Sequence, residues 1–227
     1  MHLHARLLPL IGFVLVAMFA AANAIPAAGE DAIQPTPSAL STNPTGWEDI
    51  MPAPDLKGWF RVALNSKLTR QQWHVENGTL VCDGDGGRDV LLLDRKVRNC
   101  IFHVEFCLTK VEGPKNYNSG VFIRTSRDAA IWHQAQVGSL FGGYWFGVTP
   151  DGATTKNFKI PSLPCRVKAA GEWNVYELTA QGRNLTLWVN GFPCAPFHDC
   201  GLDEGYLGVQ GEGSLITFRN LKLKILP

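Results

Sequence analysis

After its first 24 residues, the sequence has no second apolar run long enough to cross a membrane. It also has no cluster of basic residues, since 21 Lys and Arg face 20 Asp and Glu. Without the first 24 residues, which include Arg6, this balance becomes 20 to 20 and the chain is formally neutral. A neutral chain without a basic patch argues against nucleic acid or an anionic membrane as the partner.

Several catalytic and metal-binding signatures are also missing. There is no E-x-D-x-x-E strand of the kind that supplies paired carboxylates in sandwich-fold glucanases. There is no G-x-S-x-G and no H-E-x-x-H, and no cysteine pair has the C-x-x-C spacing of a zinc cluster. Function therefore has to be inferred from the fold and from scattered polar residues.

The chain begins with a pattern typical of a secretory signal peptide. His2, His4 and Arg6 make a weakly basic start, Leu7–Phe19 is a short apolar run, and Ala22-Asn23-Ala24 matches an A-x-A cleavage site. The run is too short for a membrane span. We therefore predict a signal peptide over 1–24 and a secreted or periplasmic protein, with an uncleaved anchor as the alternative.

The rest of the chain divides into a spacer and one domain. Residues 25–45 are rich in Ala, Pro, Ser and Thr without apolar periodicity, which predicts a disordered linker. Residues 46–227 are long enough for one domain with a sizeable core. All six cysteines fall in this domain, and an exported protein permits disulfides. Six cysteines allow 15 pairings, including a local bridge between Cys194 and Cys200.

Short runs with period-two alternation dominate the domain. Residues 102–108, for example, alternate Phe, Val, Phe and Leu with His, Glu and Cys. Asn77-Gly78 supplies the positive φ angles of a tight hairpin between two such runs. About ten runs at roughly ten-residue intervals predict an all-β, two-sheet β-sandwich or jelly roll. Residues 138–164, which are rich in Gly and aromatics, are predicted to form long loops across one rim.

A polar and aromatic set has the chemistry of a sugar site, because flat rings cover a pyranose while amides and guanidinium groups satisfy its hydroxyls. Gln134 and Gln136 are alternate residues of one strand, so they point the same way and can line a groove. Arg124 stands among apolar residues and should be paired or meet a ligand. Core packing of the rings and a solvated face for the amides are the alternatives. The predicted substrate-binding residues are Asn118, Arg124, Gln134, Gln136, Trp145, Asn190 and Gln210.

Two residues are candidates for proton transfer. His133 lies in an aromatic segment and has a side chain suited to acid–base work near neutral pH, although a lone His is commonly structural. Glu105 sits between apolar residues and points to the opposite face from them, which puts it either in the groove or in solvent. We predict His133 and Glu105 as catalytic residues on this basis.

An ordered set of motifs resembles the 3-keto-disaccharide hydrolase family over residues 46–227. No single motif is decisive, but their order along the chain is specific. The matching segments are 47–59, 73–78, Phe106, 118–124, 144–150, 171–174, 187–191, 207–211 and 218–222. The resemblance implies an exported bacterial protein with a concanavalin A-like two-sheet jelly roll that cleaves glycosides already oxidised at the sugar 3-position.

The chemistry that this resemblance implies is an elimination. A 3-keto group acidifies the C2 proton, a base removes it, the C1 leaving group departs, and water then adds to the enone. Such a site needs a base and an electrophile, which is either a divalent metal or a set of hydrogen-bond donors. The sequence does not indicate which residues would bind such a metal.

The chain departs from the family pattern at three positions. Gln134 stands where an acidic residue is usual, Leu187 where a His is common, and Glu212 near the place of another His. These departures keep a second hypothesis open, a lectin-like carbohydrate-binding module that has lost catalysis. A structural cell-surface domain is a third hypothesis, but it leaves the polar set unexplained. His133 and Glu212 are the residues that would replace the missing groups.

Overall fold

The structure is a computed structural model that describes residues 34–64, 70–113, 115–162 and 164–227. The predicted signal peptide and residues 25–33 of the predicted linker lie outside the described residues. Within the described ranges the chain forms two antiparallel sheets and one four-residue helix, Ala39–Thr42 (α1). No helix in these ranges is long and apolar enough to span a membrane.

The fifteen described strands divide between the two sheets. The eight-stranded sheet contains Trp47–Asp49 (β1), Trp73–Glu76 (β3), Thr79–Cys82 (β4), Cys100–Leu108 (β6), Asn174–Gln181 (β11), Asn184–Val189 (β12), Phe192–Pro193 (β13) and Ile216–Ile225 (β15). The seven-stranded sheet contains Trp59–Ala63 (β2), Asp89–Leu93 (β5), Ser119–Thr125 (β7), Trp132–Val137 (β8), Gly142–Asp151 (β9), Thr154–Ile160 (β10) and Tyr206–Gly211 (β14).

In each sheet, hairpins of consecutive strands lie beside strands from distant parts of the chain. The eight-stranded sheet has the order β13-β12-β11-β6-β15-β4-β3, and β1 pairs with the free edge of β15 beyond β4. The seven-stranded sheet has the order β10-β9-β8-β7-β14-β5-β2. The last long strands, β14 and β15, therefore lie inside their sheets. This crossed connectivity confirms the predicted two-sheet jelly-roll sandwich.

The core forms where the inner faces of the sheets meet. Phe102, Val104 and Phe106 of β6 are fully buried, and the residues between them face outward, as the alternation predicted. Val121 and Trp145 meet them from the seven-stranded sheet within one hydrophobic cluster. Because side chains alternate along each strand, each sheet also presents a second, outer face.

The prediction of long loops over residues 138–164 was wrong. Most of this stretch forms the hairpin of β9 and β10, which pair from Trp145–Ile160 to Asp151–Thr154. The glycines in this stretch allow close contacts between backbone segments instead. At Gly147 (φ +158), for example, a Cβ atom would lie 2.0 Å from the carbonyl oxygen of Trp132.

Part of the predicted disordered linker is ordered, which corrects that prediction for residues 34–45. We call residues 34–43 the N-terminal strap. Thr36 donates its amide to the Gly191 carbonyl at 2.7 Å, and the Trp188 indole donates to the Thr36 hydroxyl at 3.0 Å. Ala39 and Leu40 donate their amides to the Glu177 carboxylate at 2.6 and 3.1 Å. Hydrogen bonds from the strap to the sheet thus order a segment that has no hydrophobic pattern.

The six cysteines are all unpaired, and the local bridge between Cys194 and Cys200 is not formed. Cys100 is buried in the core and Cys107 lies on the outer face of the same strand, as their odd spacing on β6 predicts. Burial raises the pKa of the Cys82 and Cys100 thiols to about 12.

We expect the Glu177→Ala variant to release the N-terminal strap. Glu177 is buried, and although burial opposes its charge, bonds from His103 and the two strap amides hold its pKa below the usual range. Hydrogen exchange should accelerate at the amides of Ala39 and Leu40, and unfolding free energy should fall by about 1–3 kcal/mol. The exposed Glu76→Ala serves as the matched control. Unchanged exchange at both amides in Glu177→Ala would contradict this assignment.

A polar groove on the seven-stranded sheet

A chain of hydrogen-bonded side chains crosses the outer face of the seven-stranded sheet. Gln134 Nε2 donates to Gln136 Oε1 at 3.0 Å and to Gln210 Oε1 at 3.3 Å. Gln136 Nε2 donates to Asn118 Oδ1 at 2.7 Å, and Gln210 Nε2 donates to Glu212 Oε2 at 2.9 Å. We call these five residues the amide row. The three glutamines are at most 4% exposed, so the row is held firmly in place.

Gly120 is what allows the centre of this row to lie flat on the sheet. It pairs with Gln136 across β7 and β8, and the Gln134 side chain crosses directly over it. A Cβ atom at Gly120 would lie 2.2 Å from Gln134 Nε2. The glycine therefore sets the depth of the groove floor.

An ion pair ends the amide row. Arg88 Nε contacts Glu212 Oε1 at 2.9 Å, and about half of the Arg88 side chain is exposed while one fifth of Glu212 is. Burial raises the pKa of the Glu212 carboxyl, although the Arg88 guanidinium and the Gln210 amide counteract part of this effect. A carboxylate with a raised pKa is a better base than an ordinary surface carboxylate.

Aromatic rings run beside the amide row on the same face. Phe122 and Phe146 are the two cross-strand neighbours of Gln134. Trp132 joins these rings, with its ring centroid 5.7 Å from Phe122 and 5.0 Å from Phe146. A cavity of about 280 Å³ opens here, between the loops at residues 63–64, 88 and 128–129. It is lined in part by Phe122, Trp132, Gln134, Gln210 and Arg88.

His133, a predicted catalytic residue, points to the other side of the same strand. It is fully buried, with Nδ1 2.9 Å from the Arg124 carbonyl oxygen and Nε2 3.1 Å from the Thr149 hydroxyl. Its ring packs against Phe158 and Phe197. Burial lowers its pKa to about 4. The structure thus places His133 away from the amide row, in a structural position.

Arg124 is also turned away from the amide row. Its guanidinium donates to the Arg98 carbonyl oxygen from Nε at 3.0 Å and from Nη2 at 2.7 Å, and Nη1 donates to the Leu202 carbonyl. The residue has φ +51, a strained value for a side chain larger than glycine, next to a register shift between β7 and β14. Arg124 is therefore paired, as the sequence required, but with backbone carbonyls.

Trp145 lies in the core and not in a surface loop. It pairs with Ala135 on the inner face of β9, and it is 0% exposed. Its indole nitrogen is buried without a hydrogen-bond partner. The neighbouring rings of Tyr144 and Phe146 take the outward positions on β9, and these rings lie beside the amide row.

Glu105 and Asn190 belong to the other sheet. Glu105 accepts from Arg219 and Asn220 at 2.7 Å each, and these bonds lower its pKa although burial alone would raise it. Asn190 adopts φ +49 in the turn after β12 and accepts the Val175 amide at 2.8 Å. Both line a second cavity of about 460 Å³ beneath the N-terminal strap, on the opposite side of the sandwich from the amide row.

The structure thus brings together four of the predicted site residues: Asn118, Gln134, Gln136 and Gln210. It separates the other five from them. The residues that the sequence analysis missed are Arg88, Phe122 and Phe146. The alternation pattern could have identified Phe122 and Phe146, because both occupy outward-facing positions on their strands. Arg88 carried no such signal, since it precedes a strand and meets Glu212 only through the sheet pairing.

The groove does not offer a ligand set for a divalent metal. Its two carboxylates are Glu212, which is held by Arg88, and Asp128, which accepts from the Ser126 hydroxyl and the Ala130 amide. The remaining oxygens belong to amides that bond one another. Across the described ranges, no three His, Cys, Asp or Glu side chains are grouped to hold a metal ion.

The fold and the amide-lined outer face define a jelly-roll β-sandwich with a groove on one sheet. The 3-keto-alpha-glucoside-1,2-lyase-like domain profile matches residues 46–224, so the chain belongs to this family. That membership confirms the resemblance seen in the sequence motifs. A search of curated protein sequences found no significant match.

Solved structures share the fold at low sequence identity. A proposed glycosyl hydrolase from Parabacteroides distasonis is 16% identical, with a TM-score of 0.60 over 86% of this chain and 100% of that chain. The carbohydrate-binding module CBM66 from Bacillus subtilis is 13% identical, with a TM-score of 0.55 over 73% of this chain and 94% of that chain. The β-glucanase of Bacillus licheniformis is 10% identical, with a TM-score of 0.52 over 80% and 97%.

Stability should depend on pH through His133. Its folded-state pKa of about 4 lies below the ordinary value of 6.5, so the fold holds the neutral ring. The stabilisation is complete above pH 6.5 and is lost as the pH falls towards 4. Between pH 7 and pH 4.5 the unfolding free energy should drop by on the order of 2–3 kcal/mol.

Urea unfolding at the two pH values measures this effect. The His133→Leu variant should be less stable at pH 7, because it removes the buried hydrogen bonds of His133 to the Arg124 carbonyl and the Thr149 hydroxyl, yet lose less stability on acidification. The exposed His74→Leu is the control and should keep the wild-type difference. An equal pH dependence in His133→Leu and wild type would show that another group is responsible.

We expect Gly120 and Gln134 to be energetically coupled. The Gly120→Ala substitution should push the Gln134 amide off the floor of the groove and destabilise the fold by about 1 kcal/mol, since buried hydrogen bonds are lost. In a Gln134→Ala background the same substitution should be nearly neutral. Denaturant unfolding of the four proteins in this double-mutant cycle provides the measurement. Additive effects would mean that the two side chains do not compete for this space.

Proposed function

We propose that this chain is an exported enzyme that cleaves glycosides oxidised at the sugar 3-position, with the polar groove as its active site. The observation that carries the proposal is the 2.9 Å contact between Arg88 and Glu212 beside the cavity. In a 3-keto sugar, the acidic C2 proton and the C3 carbonyl oxygen belong to adjacent atoms. A base and a cation held side by side match that arrangement.

Glu212 is the proposed base. Its partial burial raises its pKa, so it takes up a proton more readily than a solvated carboxylate does. It accepts the C2 proton, and the electron pair of the C2–H bond becomes an enolate across C2, C3 and the C3 oxygen. The C1–O bond then breaks, the aglycone leaves and is protonated to an alcohol, and the sugar is left as an enone.

Arg88 is the proposed electrophile. A guanidinium group carries five N–H donors, and the Glu212 contact uses Nε. The remaining donors can hold the C3 oxygen as it gains negative charge, which is the largest charge change of the step. The amide row and the rings of Trp132 and Phe122 supply hydrogen-bonding groups and an apolar wall for the sugar.

A lectin-like module is the second candidate. The amides of the row form hydrogen bonds with one another. Gln134, at the centre of the row, stands where the family usually has an acidic residue. Such a floor binds hydroxyl groups without transferring protons. Sugar binding without turnover would favour this function over catalysis.

The decisive assay is release of a chromogenic aglycone from a 3-keto-glucoside by the mature chain. Glu212→Gln should lower kcat/KM by at least about 100-fold, and Arg88→Met by a similar factor, because each loses a group that acts in the transition state. The exposed Glu204→Gln is the matched control, and His133→Leu should retain the activity of its folded fraction.

Two further readouts separate the roles. The wild-type kcat/KM should fall as the pH drops through the raised pKa of Glu212, and this limb should be missing in the residual activity of Glu212→Gln. A chelator should leave turnover unchanged. Turnover abolished by chelation would overturn the assignment of Arg88 as electrophile, and no release from any keto-glycoside, with sugar binding retained, would leave the lectin-like module.

A further inference from the structure

The outer face of the seven-stranded sheet holds more apolar surface than one sugar ring requires. Five rings follow one another from the cavity to the turn between β8 and β9. Adjacent centroids are between 5.0 and 5.8 Å apart along this series. We call it the aromatic row, and its members in order are Phe122, Trp132, Phe146, Tyr144 and Phe141.

Exposure of the rings increases towards the far end of the row. Phe122 is fully buried beneath the cavity, while Trp132, Phe146 and Tyr144 are half-buried. Phe141 is 49% exposed at the rim, and its neighbour Leu140 is 70% exposed. The row therefore begins at the floor of the sugar pocket and emerges at the edge of the sheet.

The glutamines of the amide row lie beside the inner part of the aromatic row. Gln134 lies between Phe122 and Phe146 across the strands, and Gln136 ends the series of glutamines. At the outer end, Ser139 is occupied in accepting the Ala170 amide, and Lys159 lies over the Tyr144 ring at 4.9 Å. The inner part thus suits hydroxyl groups, whereas the outer part suits apolar surface.

Two of the four adjacent ring pairs meet edge to face, and the other two are tilted. The planes of Trp132 and Phe146 are inclined at 89°, and those of Phe141 and Tyr144 at 73°. Such a surface is ridged and offers clefts between rings, where a flat ring inserts and makes further edge-to-face contacts. A flat sugar platform would instead present ring faces in one plane.

We infer that the aromatic row is the subsite for the aglycone, and that the substrate is a glycoside whose leaving group carries an aromatic ring system. This inference rests on the proposed function, because it takes the cavity at Arg88 and Gln210 as the place of the sugar. The leaving alcohol then lies over Phe146 and Tyr144, with its outer part against Phe141.

Two 3-keto-glucosides with leaving alcohols of similar acidity test the inference, the methyl and the naphthylethyl glycoside. Wild type should prefer the naphthylethyl substrate by at least about tenfold in kcat/KM, as expected for burial of a two-ring system. Phe141→Ala should lower this ratio about fivefold. Phe192→Ala, a half-buried ring on the eight-stranded sheet, is the control and should leave the ratio unchanged.

The outcomes separate this inference from the proposed function. Equal turnover of both glycosides, or a ratio that Phe141→Ala does not change, overturns the aglycone subsite while the cleavage reaction stands. A 3-keto-disaccharide preferred over both, with that preference lost in Phe141→Ala, would show that the row binds a second sugar. If wild type cleaves none of them, the proposed cleavage fails. Calorimetric binding of the two unoxidised glucosides then decides the subsite, and equal affinities overturn it.

Discussion

Adjacent residues of a strand point to opposite faces of a sheet, and on β8 this constraint decides what the molecule can do. His133 and Ala135 enter the space between the sheets, while Gln134 and Gln136 stand on the outer face. The strand cannot shift by one residue, since that would bury the two outward glutamines and expose the core. The register that places the apolar residues of β8 in the core therefore also determines which residues line the groove.

The buried polar groups show how that register is maintained. Three of them are held by hydrogen bonds inside the fold: Arg124 near the end of β7, His133 on β8 and Asp89 at the start of β5. Asp89 accepts from Arg61 at 2.6 Å, Gln72 at 2.8 Å and Trp73 at 3.0 Å. Removing one partner from such a cluster leaves a buried polar group unsatisfied, which is more destabilising than the bond was stabilising. These residues are therefore fixed by the fold before any ligand is considered.

Alternation was sufficient to predict the sandwich and the shared face of Gln134 and Gln136, because period two is a local property of the chain. Alternation alone could not show which of the two faces of a strand packs against the core. Trp145 and Tyr144 illustrate this point, since either parity on β9 would present an aromatic ring to the groove. Glu105 shows a different limit. Its outward direction was foreseen, but the two sheets have two outer faces, and only the strand order places β6 in the sheet that lacks the amide row.

Contacts between distant segments of the chain account for the other features that the sequence analysis did not predict. The Arg88–Glu212 pair joins residues before β5 and after β14, which become neighbours through Gly211 and Asp89 in the sheet. The N-terminal strap is held by Glu177 and Gly191, which lie far along the chain, and nothing in its own composition predicts order. Neither arrangement has a local pattern that could have revealed it.

The position of the N-terminal strap has a practical consequence for handling the protein. The strap runs over the outer face of the eight-stranded sheet, whereas the groove opens on the outer face of the other sheet. Gln34 is exposed and begins the described chain on that far side. Protein coupled to a sensor chip or resin through residue 34 would thus present the groove to the flowing solution, with the sandwich itself acting as the spacer.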